Sequence, residues 1–147
     1  MKMEGMTRFE RRTAIALSGI FATRMLGLFM ILPVFAIYAT TLPGQNEFLT
    51  GVAIGVYGLT QAVFQIPMGM LSDRIGRKPV IIGGLVVFAL GSLIAAMADD
   101  MVLIIIGRAV QGSGAVAAVV MALASDLTRE ENRVKVMAII GMSIGFS

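Results

Sequence analysis

Apolar residues fill this chain in long runs, and its charged and turn-forming residues gather in the short gaps between them. Five runs stand out: 13–38, 48–71, 79–98, 101–124, and 134 to the last residue, 147. The first four reach or exceed the roughly 20 residues that cross about 30 Å of hydrocarbon at 1.5 Å per residue, which predicts transmembrane helices. The fifth run spans only about 21 Å by the same rise and is expected to be part of a helix inside which the chain breaks off. The pattern predicts an all-α membrane protein, with residues 1–12 as a cytoplasmic segment and 13–147 as a truncated bundle of four full helices and part of a fifth.

The gaps give the orientation. Lys2, Arg8, Arg11 and Arg12 precede the first run, Arg74, Arg77 and Lys78 follow the second, and Arg129, Arg133 and Lys135 follow the fourth. The other two gaps, TTLPGQNE and Asp99–Asp100, carry no basic residue, so the positive-inside rule places the N-terminus in the cytoplasm. The first run is too long for the apolar region of a signal peptide, usually about 7–15 residues.

Composition agrees: 57% of residues are hydrophobic, 14% are charged, and the mean hydropathy is +0.88. A soluble domain needs more polar surface than this chain can supply. The net charge of +3 falls in clusters between apolar runs, which reads as topology rather than a nucleic-acid surface. With no cysteine and no histidine, thiolate metal sites and the commonest general base are excluded. No nucleophile–base pair, metal constellation or phosphate-binding loop appears at usable spacing, so an enzyme is not expected, nor a metal or cofactor.

Polar residues inside the runs are the candidate chemistry. Arg108, Gln111 and Gly112 fall at i, i+3 and i+4, on one helix face. An arginine at that depth either serves function in a cavity or locks helices by bonding to carbonyls. Arg24 lies about 16 Å along its helix from Thr13, and is either a functional charge or a lock to Gln61 or Gln65. Gln61 and Gln65 share a face, and with Met25 and Phe29 they are candidate walls of a substrate cavity or plain packing. Dense glycine and alanine in 51–58 and 112–124 suit close helix packing, and Pro33 and Pro67 are expected to kink their helices.

The most charged gap reads GMLSDRIGRKPV, residues 69–80. Gly69 permits close packing, Asp73 is expected to accept backbone N–H bonds in the turn, Gly76 to allow a tight reversal, and Pro79 to suit a first helical turn. Gly69, Leu71, Asp73, Arg74, Gly76, Arg77 and Lys78 resemble the loop pattern G-x-L-x-D-R-x-G-R-[KR] of the major facilitator superfamily. IIIGRAVQGSGA, with Arg108, Gln111, Gly112 and Ala115, resembles its R-x-x-Q-G-x-G-A pattern. Leu26, Gly27 and Pro33 match a drug-exporter pattern whose final proline is Ala36 here, while Asp126, Glu130 and Arg133 match the loop after the fourth helix. In detail the chain is similar to the YajR-type branch of drug–proton exporters.

The resemblance implies a fold of about twelve helices in two halves, each made of inverted three-helix repeats, with substrate bound between the halves near the midplane. This chain would supply the N-terminal part, and its partners would be the missing C-terminal half, the lipid bilayer and a small-molecule substrate. It also implies that Asp73 latches the two halves, that Arg77 pairs with Asp126, and that Arg108 lies beside a proton path. The acids read from the runs lie at their edges: Glu47, Asp99 and Asp100 at one, Asp73, Asp126, Glu130 and Glu131 at the other. The implied function is proton-coupled efflux of small molecules by alternating access in the bacterial inner membrane. The alternatives are an importer or uniporter of an organic anion or sugar, and a membrane scaffold that does not transport.

Overall fold

The computed structural model describes residues 5–43 and 46–145, and every regular element among them is helical. Lys2, Gly44 and Gln45 of the charge reading, and residues 146–147 of the fifth run, lie outside the described residues. Six helices follow in order: α1 (Arg8–Ala39), α2 (Glu47–Ile75), α3 (Arg77–Ala96), α4 (Met101–Ser113), α5 (Ala117–Asp126) and α6 (Glu130–Gly145). The chain divides into two compact units, one drawn from Met1–Leu32 and Val120–Ser147, the other from Pro33–Val119.

In the second unit, α4 packs against both α2 and α3. The starts of α2 and α4 are each capped by a side chain from the gap before the helix, while α3 begins at Gly76 with no side-chain cap. Asn46 accepts from the Leu49 N–H at 2.7 Å to begin α2, and Asp100 accepts from the Leu103 N–H at 2.7 Å to begin α4. Among the described residues, three stretches are long and apolar enough to cross a membrane: Glu47–Ile75, Arg77–Ala96 and Met101–Asp126, the last running through both α4 and α5. At 29, 20 and 26 residues they would measure about 44, 30 and 39 Å as continuous helix. Their polarity is inverted relative to a soluble bundle: Phe48, Leu59, Ile66, Ile82 and Leu93 face outward while Ser72, Arg108 and Gln111 are buried. Such a surface is stable only against lipid or further protein.

The structure corrects several of the expected elements, among them the fifth run, whose helix α6 begins at Glu130, four residues before the expected 134. The run 101–124 is two helices rather than one, broken at residues 114–116. Gly-Ser-Gly at 112–114 is weakly helical, Ser113 bonds back to the Val110 carbonyl at 2.7 Å, and Gly114 departs from helix at φ −72°, ψ 42°. Residues 8–12, expected as a cytoplasmic segment before the helix, are its first turns. Helix α2 continues four residues past Leu71, through Asp73 and Arg74. Both α1 and α2 remain helical through Pro33 and Pro67.

In the first unit, the buried positions of α1 run Glu10, Ala14, Leu17, Ser18, Phe21, Arg24, a single stripe at helical spacing. Val120, Ala124, Val136 and Ile140 are the buried apolar positions of α5 and α6 within that unit.

Candidate functional site

Two polar constellations are built in the second unit. The first lies inside the helices. Arg108 and Gln111 project from the same face of α4 and are 3% and 1% exposed. The Arg108 guanidinium donates to Gln111 Oε1 at 2.8 Å and, through Nε, to the Ala53 carbonyl of α2 at 3.4 Å. Its Cζ sits 4.9 Å from the centre of the Tyr57 ring, a cation–π arrangement also supplied by α2. Gln111 passes the connection to α3 by donating to Ser92 Oγ at 2.9 Å, and Ser92 donates to the Phe88 carbonyl at 2.9 Å. One buried cation is thus tied to all three helices of the unit.

Glycine makes the approach possible. A Cβ at Gly91 of α3 would collide with the backbone of Gln111, and one at Gly112 of α4 would collide with the Tyr57 carbonyl and Thr60 Oγ1 of α2. Larger residues would push α2 and α3 away from α4 and lengthen the bonds around Arg108. The Arg108 side chain thus reaches a backbone carbonyl of another helix, Ala53 of α2. A guanidinium at that depth is also a fixed positive charge that any neighbouring substrate or carboxylate would feel. Ala115, the last residue of the R-x-x-Q-G-x-G-A pattern, falls in the break between α4 and α5.

The second constellation is the charged gap. Gly76 alone separates α2 from α3 and takes φ +99°, ψ 155°, so the reversal expected there is made by one residue. Its N–H donates to the Ser72 carbonyl at 3.1 Å. Arg77 donates to Ser72 Oγ at 2.6 Å and pairs with Asp73 at 2.5 Å, four residues back across the joint. Asp73 is therefore not a turn residue accepting backbone N–H bonds. It lies within α2, its carboxylate toward Arg77 and 63% exposed. Ser72, absent from the sequence reading, is buried and holds Arg77 by its hydroxyl. Gly69 is half-buried, and Arg74 and Lys78 are exposed. Leu71 and Arg74 line an open apolar groove on α2 with Pro67 and Met70. Gln61 and Gln65 are half-buried on α2.

The first unit holds the remaining candidates. Arg24 is buried at 5% exposure, Met25 is half-buried, Phe29 is exposed, and Asp126 is the exposed last residue of α5. Glu130 pairs with Arg133 at 3.6 Å on the first turn of α6. Sequence reasoning missed Glu10, the one buried carboxylate among the described residues. The signal was present as Thr7-x-x-Glu10, a helix-start box. Glu10 Oε1 accepts from the Arg129 N–H at 3.1 Å and from Arg129 Nε at 3.2 Å. The Arg129 side chain, then the Thr7 and Arg129 backbone N–H groups, hold the Glu10 carboxyl well below the usual carboxylate range.

The chain is similar to known proteins along most of its length. The Major Facilitator Superfamily profile matches residues 17–147. The chain is 63% identical over 142 residues to the inner membrane transport protein YajR of Escherichia coli strain K12, covering 97% of this chain and 31% of that protein. It is 50% identical over 147 residues to an uncharacterized transporter of Buchnera aphidicola subsp. Schizaphis graminum, covering 100% of this chain and 38% of the relative. It is 32% identical over 123 residues to the class H tetracycline resistance protein of Pasteurella multocida, covering 82% of this chain and 31% of the relative. The chain therefore spans about a third of the length of these relatives.

Proposed function

The chain belongs to the Major Facilitator Superfamily, and from that premise we propose that it is the N-terminal part of a secondary transporter that exports small molecules in exchange for protons. The setting is the bacterial inner membrane, with the N-terminus in the cytoplasm and a C-terminal half completing the substrate path. The observation that carries the reading is the buried Arg108 network, because a cation tied to three helices inside a membrane-length bundle has an electrostatic cost that a plain scaffold does not require. Arg108, Gln111, Gly112 and Arg24 are the proposed coupling residues. Gln61 and Gln65 in the second unit and, separately, Met25 and Phe29 in the first are proposed cavity-lining residues. A second fixed cation, Arg24, favours anionic, zwitterionic or neutral substrates over cations. Gly69, Leu71, Asp73, Arg74, Gly76, Arg77 and Lys78 are the proposed conformational switch, in which charged partners are exchanged as access alternates, and Asp126 of the other unit is a further proposed switch residue.

The test uses the full-length transporter in proteoliposomes carrying a pH-sensitive dye, with tetracycline as the first probe because a relative bears that name. Tetracycline-driven proton movement is expected, and Arg108→Gln is expected to lower it by about tenfold or more. Downhill uptake of an organic anion or sugar without proton movement would replace efflux by the importer reading. A full-length protein whose dye response is unchanged by Arg108→Gln would remove Arg108 from the coupling.

A further inference from the structure

Glu10 is saturated with donors. Its two carboxylate oxygens receive bonds from the Thr7 N–H at 2.8 Å, Thr7 Oγ1 at 3.1 Å, the Arg129 N–H at 3.1 Å, Arg129 Nε at 3.2 Å, Arg129 Nη2 at 3.3 Å and Asn132 Nδ2 at 3.3 Å. A carboxylate offers about four acceptor sites, so nothing is left for water. Only the Thr7 bonds are local, and they form the reciprocal helix-start box, with the Glu10 N–H donating to Thr7 Oγ1 at 3.2 Å. The others come from residues 119 and 122 positions away in sequence.

The backbone before α1 is held by the same two residues. The Gly5 carbonyl accepts from Arg129 Nη2 at 3.0 Å and from Asn132 Nδ2 at 3.2 Å. Lys135 donates to Asn132 Oδ1 at 3.2 Å and fixes that amide from the far side. A helix needs only Thr7 and Glu10 to cap itself, so the α5–α6 turn contributes more than capping requires.

We propose that Glu10 centres a clasp tying residues 5–10 to the turn between α5 and α6, a conformational device that makes the start of α1 and the start of α6 move as one piece. The clasp stands on geometry within one unit and does not rest on the transport reading. Its charge is satisfied by a partner rather than titrated, which sets it apart from any proton carrier. With Glu10 directed inward, Arg8, Arg11 and Arg12 occupy the exposed face of the same turns.

Hydrogen exchange of the full-length protein in nanodiscs tests the clasp, read on peptides covering residues 5–14 and 126–134. Glu10→Ala is expected to speed exchange in both peptides together, by about tenfold or more. Arg129→Ala is expected to speed residues 5–14 although Thr7 and Glu10 remain. The Arg129 side chain is 55% exposed, so its truncation leaves the core intact. The double variant is expected to be no faster than the worse single, as for residues acting as a unit. Thr7→Ala, which removes only the local box, is expected to loosen residues 5–14 alone. Acceleration of only the N-terminal peptide in Glu10→Ala, or an unchanged N-terminal peptide in Arg129→Ala, would reduce Glu10 to a helix cap and overturn the clasp. Coupled exchange with no transport in the vesicle assay would retain the clasp and count against the transport reading alone.

Discussion

Glu10 and Asp73 are both carboxylates paired with an arginine, yet Glu10 is 3% exposed and Asp73 is 63% exposed. Glu10 takes donors from three residues in two parts of its unit, while the Asp73 pair joins residues four apart across the α2–α3 joint. A buried, saturated carboxylate cannot exchange partners without stranding its charge away from water. An exposed pair is screened and exchanges at little cost. The contrast separates a fixed clasp from a candidate switch even though the residue types are the same.

The sharpest break of that contrast is Glu10→Ala, expected to lower the thermal unfolding midpoint of the full-length protein more than either substitution at the charged gap below. The pH dependence follows from the depressed pKa of Glu10. The clasp's stabilisation is fully present above the unfolded carboxylate pKa, about 4.3, and is lost only as pH falls through the lower folded value. The groups facing it are Arg129, Asn132 and Thr7, with Lys135 on Asn132 and Glu131 acting on Arg129. Midpoints of wild type and Glu10→Ala are therefore expected to stay apart from pH 7 down to about 4.3 and to converge only in stronger acid.

The two regions were also unequally legible in the sequence. The charged gap could be read because its glycines, acid and bases lie within ten residues, from Gly69 to Lys78. Arg108 and Gln111 were legible as a pair by spacing, but their partners Ala53, Tyr57 and Ser92 come from other helices and leave no local mark. The break after Ser113 was hidden because Gly114–Val116 sits inside an apolar run, and hydropathy does not register helix propensity. Glu10 was missed because attention to basic residues read residues 1–12 as topology. The Thr7–Glu10 box marks a helix start there, while the Arg129 partnership depends on the tertiary fold.

Gly76→Ala is the intermediate case. At φ +99° and ψ 155° a side chain is strained, so a loss of about 1–3 kcal/mol is expected, measured by denaturant unfolding of the full-length protein. The strain acts where α2 meets α3 and disturbs the approach of Arg77 to Ser72 and Asp73. Loss of stability with an unchanged transport rate would show that the joint shapes the fold without setting the switch.

Asp73→Asn should have the smallest effect on stability and the most informative effect on function. An exposed pair contributes about 0–1 kcal/mol, so the unfolding midpoint is expected to move little. Arg77 retains Ser72 Oγ at 2.6 Å, so the local fold has a second anchor. If the pair is a switch, its removal shifts the balance between access states rather than the fold, and the transport rate changes while stability does not. A substitution that leaves both unchanged would make Asp73 a solvated surface charge. A substitution that unfolds the protein would place Asp73 with Glu10 and erase the distinction between the two carboxylates.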